Sequence, residues 1–215
     1  MDFKLNKAHG LSFLVFASIF AFSTFIKPYP LSWAVKLLPM LLLIYLAINC
    51  VDLSKSGKFF VLGLLCSACG DFILDYDRQN WFIFGLGAFF IAHLFYLASL
   101  KPYVNSLKQT KYIMIALLYI AYGGGMLWLL ADGLGQLFIP VVAYMSILLL
   151  MALATVLSEK SNVWLIIGGI SFVLSDSLIG FDKFYLPIEN VSFAIMVSYY
   201  FAQFALFKGF VKASQ

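Results

Sequence analysis

Four ionisable side chains stand well inside long apolar runs of this sequence: Lys36, Asp71, His93 and Asp176. Each costs a few kcal/mol at a bilayer centre by insertion scales, so such groups face a bundle interior or a wet cavity and mark function by default. Two carboxyls close together in a low dielectric do not both ionise readily, and one keeps its proton. That provides an acid and a base at neutral pH, which is what general acid–base chemistry requires. Asp71 and Asp176 are therefore the candidate catalytic residues. The competing role is structural, as buried anchors held by Lys36 and by hydroxyls such as Ser67, one turn below Asp71, and Ser175. Asp75 lies one turn after Asp71 on the same face but nearer water, and suits a solvated cap as well as a site. Tyr199 and Gln203, at i and i+4, share a helix face. With Lys36, Asp75, His93 and Tyr144 they form the candidate substrate-binding set. Lys36 also lies close enough to a helix end to snorkel to the surface. Metal chemistry is not indicated, because the chain has two histidines and neither an HExxH nor a paired CxxC spacing. No cofactor is expected. The absence of a Gly-x-Ser-x-Gly elbow disfavours a serine lipase.

The elements that must position these groups follow from composition. Of 215 residues, 63% are apolar and 11% charged, and the mean hydropathy is +0.97. An average soluble chain is about 45–50% apolar and about 25% charged. A soluble domain of this size needs more polar surface than this chain provides. A free cytosolic enzyme, a nucleic-acid-binding domain and a disordered tail are excluded. The net charge of +4 comes from scattered lysines and a single arginine, Arg78, not from a clustered phosphate-reading patch. Of the three cysteines, Cys66 and Cys69 form a CxxC inside an apolar run and read, like Cys50, as small packing residues.

Apolar runs near 9–26, 31–49, 58–76, 80–100, 111–130, 137–157, 161–181 and 187–208 approach the roughly 20 residues that a spanning helix takes. The predicted fold is all-α, a polytopic membrane protein of eight transmembrane helices forming one domain over residues 1–215. Ten cations (Lys4, Lys7, Lys55, Lys58, Lys101, Lys108, Lys111, Lys160, Lys208 and Lys212) fall on one side and three (Lys27, Arg78 and Lys183) on the other. The excess places both termini in the cytoplasm, and a bacterial inner membrane suits so small an extramembrane part. Trp33, Trp81 and Trp128 fall at the opposite ends of their helices, as an interfacial belt does. The first run, with Lys4 and Lys7 before it, also has the form of a signal peptide, but nothing soluble follows for it to export. The glycines Gly85, Gly87, Gly123, Gly124, Gly125, Gly168 and Gly169 are expected at close helix contacts.

A shift of 105 residues lays each of the first four runs on one of the last four. Asp71 falls on Asp176, Asp77 on Asp182 and Arg78 on Lys183. A shift of four helices preserves direction, so the halves, about 9–105 and 111–210, are expected to be parallel repeats about an axis normal to the membrane. At 1.5 Å per residue, Lys36, Asp71 and Asp176 all lie about 20–22 Å from the inner side, with His93 about 10 Å deeper.

Several blocks resemble the YhhN-like family, the lysoplasmalogenases. Lys36-Leu37-Leu38-Pro39-Met40-Leu41 is similar to its lysine-proline segment, where a proline directly after the lysine is common. Gly70-Asp71-Phe72-Ile73-Leu74 and Gly85-Leu86-Gly87-Ala88-Phe89-Phe90-Ile91-Ala92-His93-Leu94-Phe95-Tyr96 are similar to its third and fourth helices. Ser171-Phe172-Val173-Leu174-Ser175-Asp176-Ser177-Leu178 and Tyr199-Tyr200-Phe201-Ala202-Gln203 are similar to its last two. The resemblance implies an eight-helix membrane enzyme that hydrolyses the vinyl ether bond of lysoplasmalogens to a fatty aldehyde and a glycerophospho-ethanolamine or -choline. It places the family's two essential aspartates on Asp71 and Asp176. The partners expected are a lysophospholipid substrate and bilayer lipid, with no nucleic acid. The chemistry agrees: protonation of the alkenyl carbon gives an oxocarbenium ion that water attacks, which needs an acid, a base and a nearby negative charge. Two other classes fit membrane aspartates: a proton-coupled transporter, and an intramembrane aspartyl protease, for which Gly70-Asp71 lacks a second matching motif.

Overall fold

A chain this apolar must satisfy its backbone within each segment, and the described residues form helices and no strands. The structure is a computed structural model and describes residues 6–101 and 110–214. Lys4 and Lys108, two of the charges counted above, lie outside the described residues, as does position 105, the end of the first repeat half. The helices are α1 (Lys7–Ser23), α2 (Ser32–Cys50), α3 (Lys55–Tyr76), α4 (Phe82–Leu100), α5 (Thr110–Leu134), α6 (Phe138–Leu157), α7 (Val163–Phe184) and α8 (Val191–Ser214).

Local chemistry sets several boundaries. The Asn6 side chain accepts from the His9 amide at 3.0 Å, and the Asn6 amide donates back to His9 Nδ1, a capping box that starts α1. Asn162 caps α7 by accepting from the Trp164 and Leu165 amides. Leu31 turns the chain into α2 with a left-handed φ of 58°. Pro39 lies inside α2 and withholds an amide from the Val35 carbonyl.

Seven stretches among the described residues are long and apolar enough to cross a membrane. One of them, Thr110–Leu157, runs through both α5 and α6. The sequence places a break over 131–136; instead α5 continues to Leu134, and a 3-10 turn of three residues, Gly135–Leu137, leads into α6. Gly135 takes a left-handed φ of 48°, which glycine adopts without steric cost and which lets the turn be this short. The two helices then fold back on one another, with Gly123 against Leu149.

The tightest pairings are α3 with α4 and α7 with α8. They are close because small residues let the backbones approach. A Cβ on Gly70 would fall 2.7 Å from the Phe89 ring, and one on Gly168 would fall 2.8 Å from the Leu206 backbone nitrogen. Gly85 packs on Leu74 and Gly169 on Thr155 in the same way, but Gly87, Gly124 and Gly125 face open space and mark no contact. A glycine's small size permits a close neighbour without requiring one. α8 is the most buried helix and packs on α1, α2 and α7; α4 and α7 both pack on α6. α1 lies against α8 through Phe13, which stacks on Phe204 at 5.0 Å and meets Tyr200 edge-on. Trp33, Trp81 and Trp128 all lie toward the end of the bundle that carries the α1–α2, α3–α4 and α5–α6 turns.

Candidate active site

Asp71 is held from two other helices. Its Oδ1 is 3.2 Å from Lys36 Nζ on α2, with both side chains buried. Its Oδ2 accepts from the Tyr199 hydroxyl on α8 at 2.6 Å. A chain of hydrogen bonds backs that tyrosine: Gln203 Nε2 donates to the Tyr199 oxygen at 3.2 Å, Tyr96 donates to Gln203 Oε1 at 2.8 Å, and Ser67 lies 3.3 Å from the Tyr96 hydroxyl. Tyr200 donates to the Lys36 carbonyl at 2.8 Å, beside the turn that Pro39 disturbs. Lys36 does not snorkel; it turns inward because Asp71 offers a counter-charge that the lipid cannot.

Asp176, on α7, is held in the same manner. Its Oδ2 accepts from the Tyr144 hydroxyl on α6. His93 on α4 places Nε2 3.2 Å from the Tyr144 oxygen and 3.9 Å from Asp176 Oδ2. Since the Tyr144 proton is committed to Asp176, the hydrogen-bond network assigns the His93 proton to Nε2. Nδ1 then carries a lone pair that is buried with no hydrogen-bond partner among the described residues. The imidazole is fully enclosed and stands edge-on to Phe172 at 4.6 Å. The sequence estimate puts His93 about 10 Å deeper than the carboxylates by counting Cα rise. In the structure it reaches their level. Side chains lean toward the N-terminus of their own helix, and α4 and α7 run in opposite directions, so His93 and Asp176 lean toward each other.

Both aspartates open into one cavity of about 340 Å³, together with Lys36, Tyr144 and Tyr199. Most of the remaining wall is apolar, including Leu86, Phe89, Leu130 and Leu148. His93 and Gln203 stand behind the tyrosines and are not part of the wall. At the mouth, Asp75 is bound by Lys27 and by the Ser32 hydroxyl, while Arg78 reaches Asp182 at 3.9 Å. Burial pulls the Lys27 ammonium below its ordinary value, and the paired Asp75 pulls it back up. Beyond the mouth, hydrogen bonds from Asn80 hold the Asp77 carboxyl below the usual range. Sequence reasoning missed Tyr96 and Tyr200 as partners and treated Lys27 and Arg78 only as topology markers. Tyr96 follows His93 by three residues, the spacing that puts both on one helix face, and that was the available signal.

Residues 31–210 match the model of the YhhN family. The chain belongs to the YhhN family. A Mycobacterium tuberculosis protein named lysoplasmalogenase is 32% identical to it over 162 residues, which is 74% of this chain and 62% of that relative. This YhhN chain therefore spans less than two thirds of the length of that relative. Proteins named lysoplasmalogenase TMEM86B from Sus scrofa and Homo sapiens are 31% and 30% identical over 176 residues, covering 80% of the YhhN chain and 73% and 74% of their own lengths. No solved structure matches the chain. The YhhN match contains Lys36, Asp71, Asp75, His93, Tyr144, Asp176, Tyr199 and Gln203.

Proposed function

We propose that this YhhN protein hydrolyses the vinyl ether bond of lysoplasmalogens, releasing a fatty aldehyde and a glycerophospho-ethanolamine or -choline. The observation that carries the reading is the largely apolar cavity into which Asp71 and Asp176 both open. It has room for the head of a single alkenyl chain. The names of the curated relatives support the same reaction.

The geometry supports a division of labour. Lys36 is an enclosed ammonium and needs a counter-anion, which Asp71 supplies. Asp71 is then the carboxylate that faces the developing cation and takes a proton from water. Asp176 is partly buried, and among the described residues no lysine or arginine lies within hydrogen-bond distance of it. In this reading it takes the part of the acid, with Tyr144 occupying Oδ2 and Oδ1 left to deliver the proton. Proton transfer from Asp176 to the alkenyl carbon breaks the double bond and leaves an oxocarbenium ion. Water adds, and the hemiacetal collapses to the aldehyde and the free glycerol hydroxyl. Proton exchange through the cavity restores both carboxyls. Lys36, Asp75, Tyr144 and Tyr199 contact the substrate in this reading, and His93 and Gln203 position the tyrosines.

The proposed architecture is one domain of eight crossings built from parallel halves, about 9–105 and 111–210. Asp71 is contacted by Lys36 of α2 and bonded by Tyr199 of α8, while Asp176 is bonded by Tyr144 of α6 and faces His93 of α4 at 3.9 Å. A shift of four helices converts one arrangement into the other. Gly63 and Gly168, 105 residues apart, lie at the α3–α4 and α7–α8 contacts. The lysine distribution supports cytoplasmic termini and a bacterial inner membrane, with the cavity mouth facing outward.

The test is aldehyde release by the purified protein in detergent. The 1-alkenyl lysophospholipid should yield aldehyde, and its saturated alkyl counterpart none. A folded protein that releases no aldehyde at any pH would sink the reading, and uptake driven by a pH gradient would replace it with transport. Tyr144→Phe and Tyr199→Phe each remove a hydrogen bond to a carboxyl group, worth roughly 1.5–3 kcal/mol if charged. Each is expected to lower kcat about ten- to a hundredfold with the helix content unchanged by circular dichroism.

A further inference from the structure

The cavity has a polar end that the reaction chemistry does not use. Lys27 and Arg78 both line its mouth. They arrive from different elements, the α1–α2 connection and the residues just after α3. Lys36, the deeper cation, is committed to Asp71. Lys27 is tied to Asp75 but stays partly exposed, with its ammonium 4.7 Å above the Phe20 ring, also in the wall. Arg78 is freer. Its guanidinium is 3.9 Å from Asp182, beyond hydrogen-bond length, so the planar fork keeps donors for an anion. Arg78 follows Asp71 by seven residues, the first five rising about 7.5 Å along α3 to Tyr76 and the last two in the turn beyond it. That is the scale of the glycerol segment that separates a vinyl ether from the phosphate of a lysophospholipid.

We infer that Lys27 and Arg78 form the binding site for the phosphate diester of the substrate headgroup, setting the depth at which the chain enters. The inference rests on the hydrolase reading and specifies its substrate. It also makes Arg78 a specificity residue, which recognises the phosphate while the aspartates act on the alkenyl carbon.

Binding of non-hydrolysable ligands separates this inference from the reaction itself. A saturated 1-O-alkyl lysophospholipid should bind the wild type about tenfold more tightly than 1-O-alkylglycerol, which lacks the phosphate. Arg78→Gln should erase most of that difference and leave alkylglycerol binding unchanged; Arg78→Lys should restore part of it. Equal affinities of the wild type for the two ligands would overturn the proposal without any variant. So would an equal loss for both ligands in Arg78→Gln. Inorganic phosphate at millimolar concentration should not displace the lysophospholipid, and displacement would make this a free-phosphate site and overturn the headgroup assignment. A wild type that binds the phosphate-bearing ligand selectively but releases no aldehyde would retain the headgroup site and remove the hydrolase reading.

Discussion

Asp176→Asn is expected to reduce aldehyde release by a factor of about 10²–10⁴, the usual contribution of a positioned general acid. Asparagine keeps the shape of the side chain and can still accept the Tyr144 hydroxyl through its carbonyl oxygen. It has no acidic proton to give to carbon. Binding of the saturated 1-O-alkyl lysophospholipid should therefore change little, and the loss should fall on kcat rather than on KM. An Asp176→Asn protein that keeps wild-type kcat would remove Asp176 from the chemistry.

Lys36→Met is expected to have the largest effect on stability. Breaking a buried ion pair by removing one partner costs about 3–5 kcal/mol, because the remaining charge loses its compensation. Here the remaining charge is Asp71, which is buried, bonded to Tyr199, and has no other cation within hydrogen-bond distance among the described residues. The double variant Lys36→Met/Asp71→Asn removes both charges and should regain much of the loss, because a neutral pair needs no counter-ion. It should remain inactive, since it lacks the carboxylate proposed as the base. Thermal unfolding in detergent reads the stability, and aldehyde release reads the function. Equal melting temperatures for wild type and Lys36→Met would show that the pair carries no stability and that Asp71 does not depend on Lys36 for its charge.

Much of the longitudinal organisation is legible in the sequence. The helices fall within a few residues of the apolar runs, because bilayer thickness and hydrogen-bonding need leave few choices of length. Counting residues along separate helices also places Lys36, Asp71 and Asp176 at one level, and the cavity that they share agrees with it. Lateral organisation is where the reading stops. In lipid, outward and inward faces are both apolar, so the periodicity that identifies a buried face in a soluble helix is weak. Nothing in the spacing shows that α4 packs on α6 or that α8 reaches α2. The Tyr144–Asp176 and Tyr199–Asp71 bonds depend on those neighbours, and so does the retreat of His93 and Gln203 behind the tyrosines. The sequence suits Asp75 to cap and site alike, and its binding by Lys27 depends on where the α1–α2 connection folds.

Among the described residues, the most buried helix, α8, also follows the other seven. During synthesis, α1, α2 and α7 must therefore leave an open slot for it. The ion pair of Lys36 with Asp71 joins neighbouring helices and can close early, but the Tyr199 hydroxyl arrives only when α8 docks. The same step brings Tyr200 to the Lys36 carbonyl. Assembly around Asp71 thus waits on the emergence of α8, and a nascent chain halted before α8 would have the carboxylate and the lysine in place without the hydroxyl that orients them.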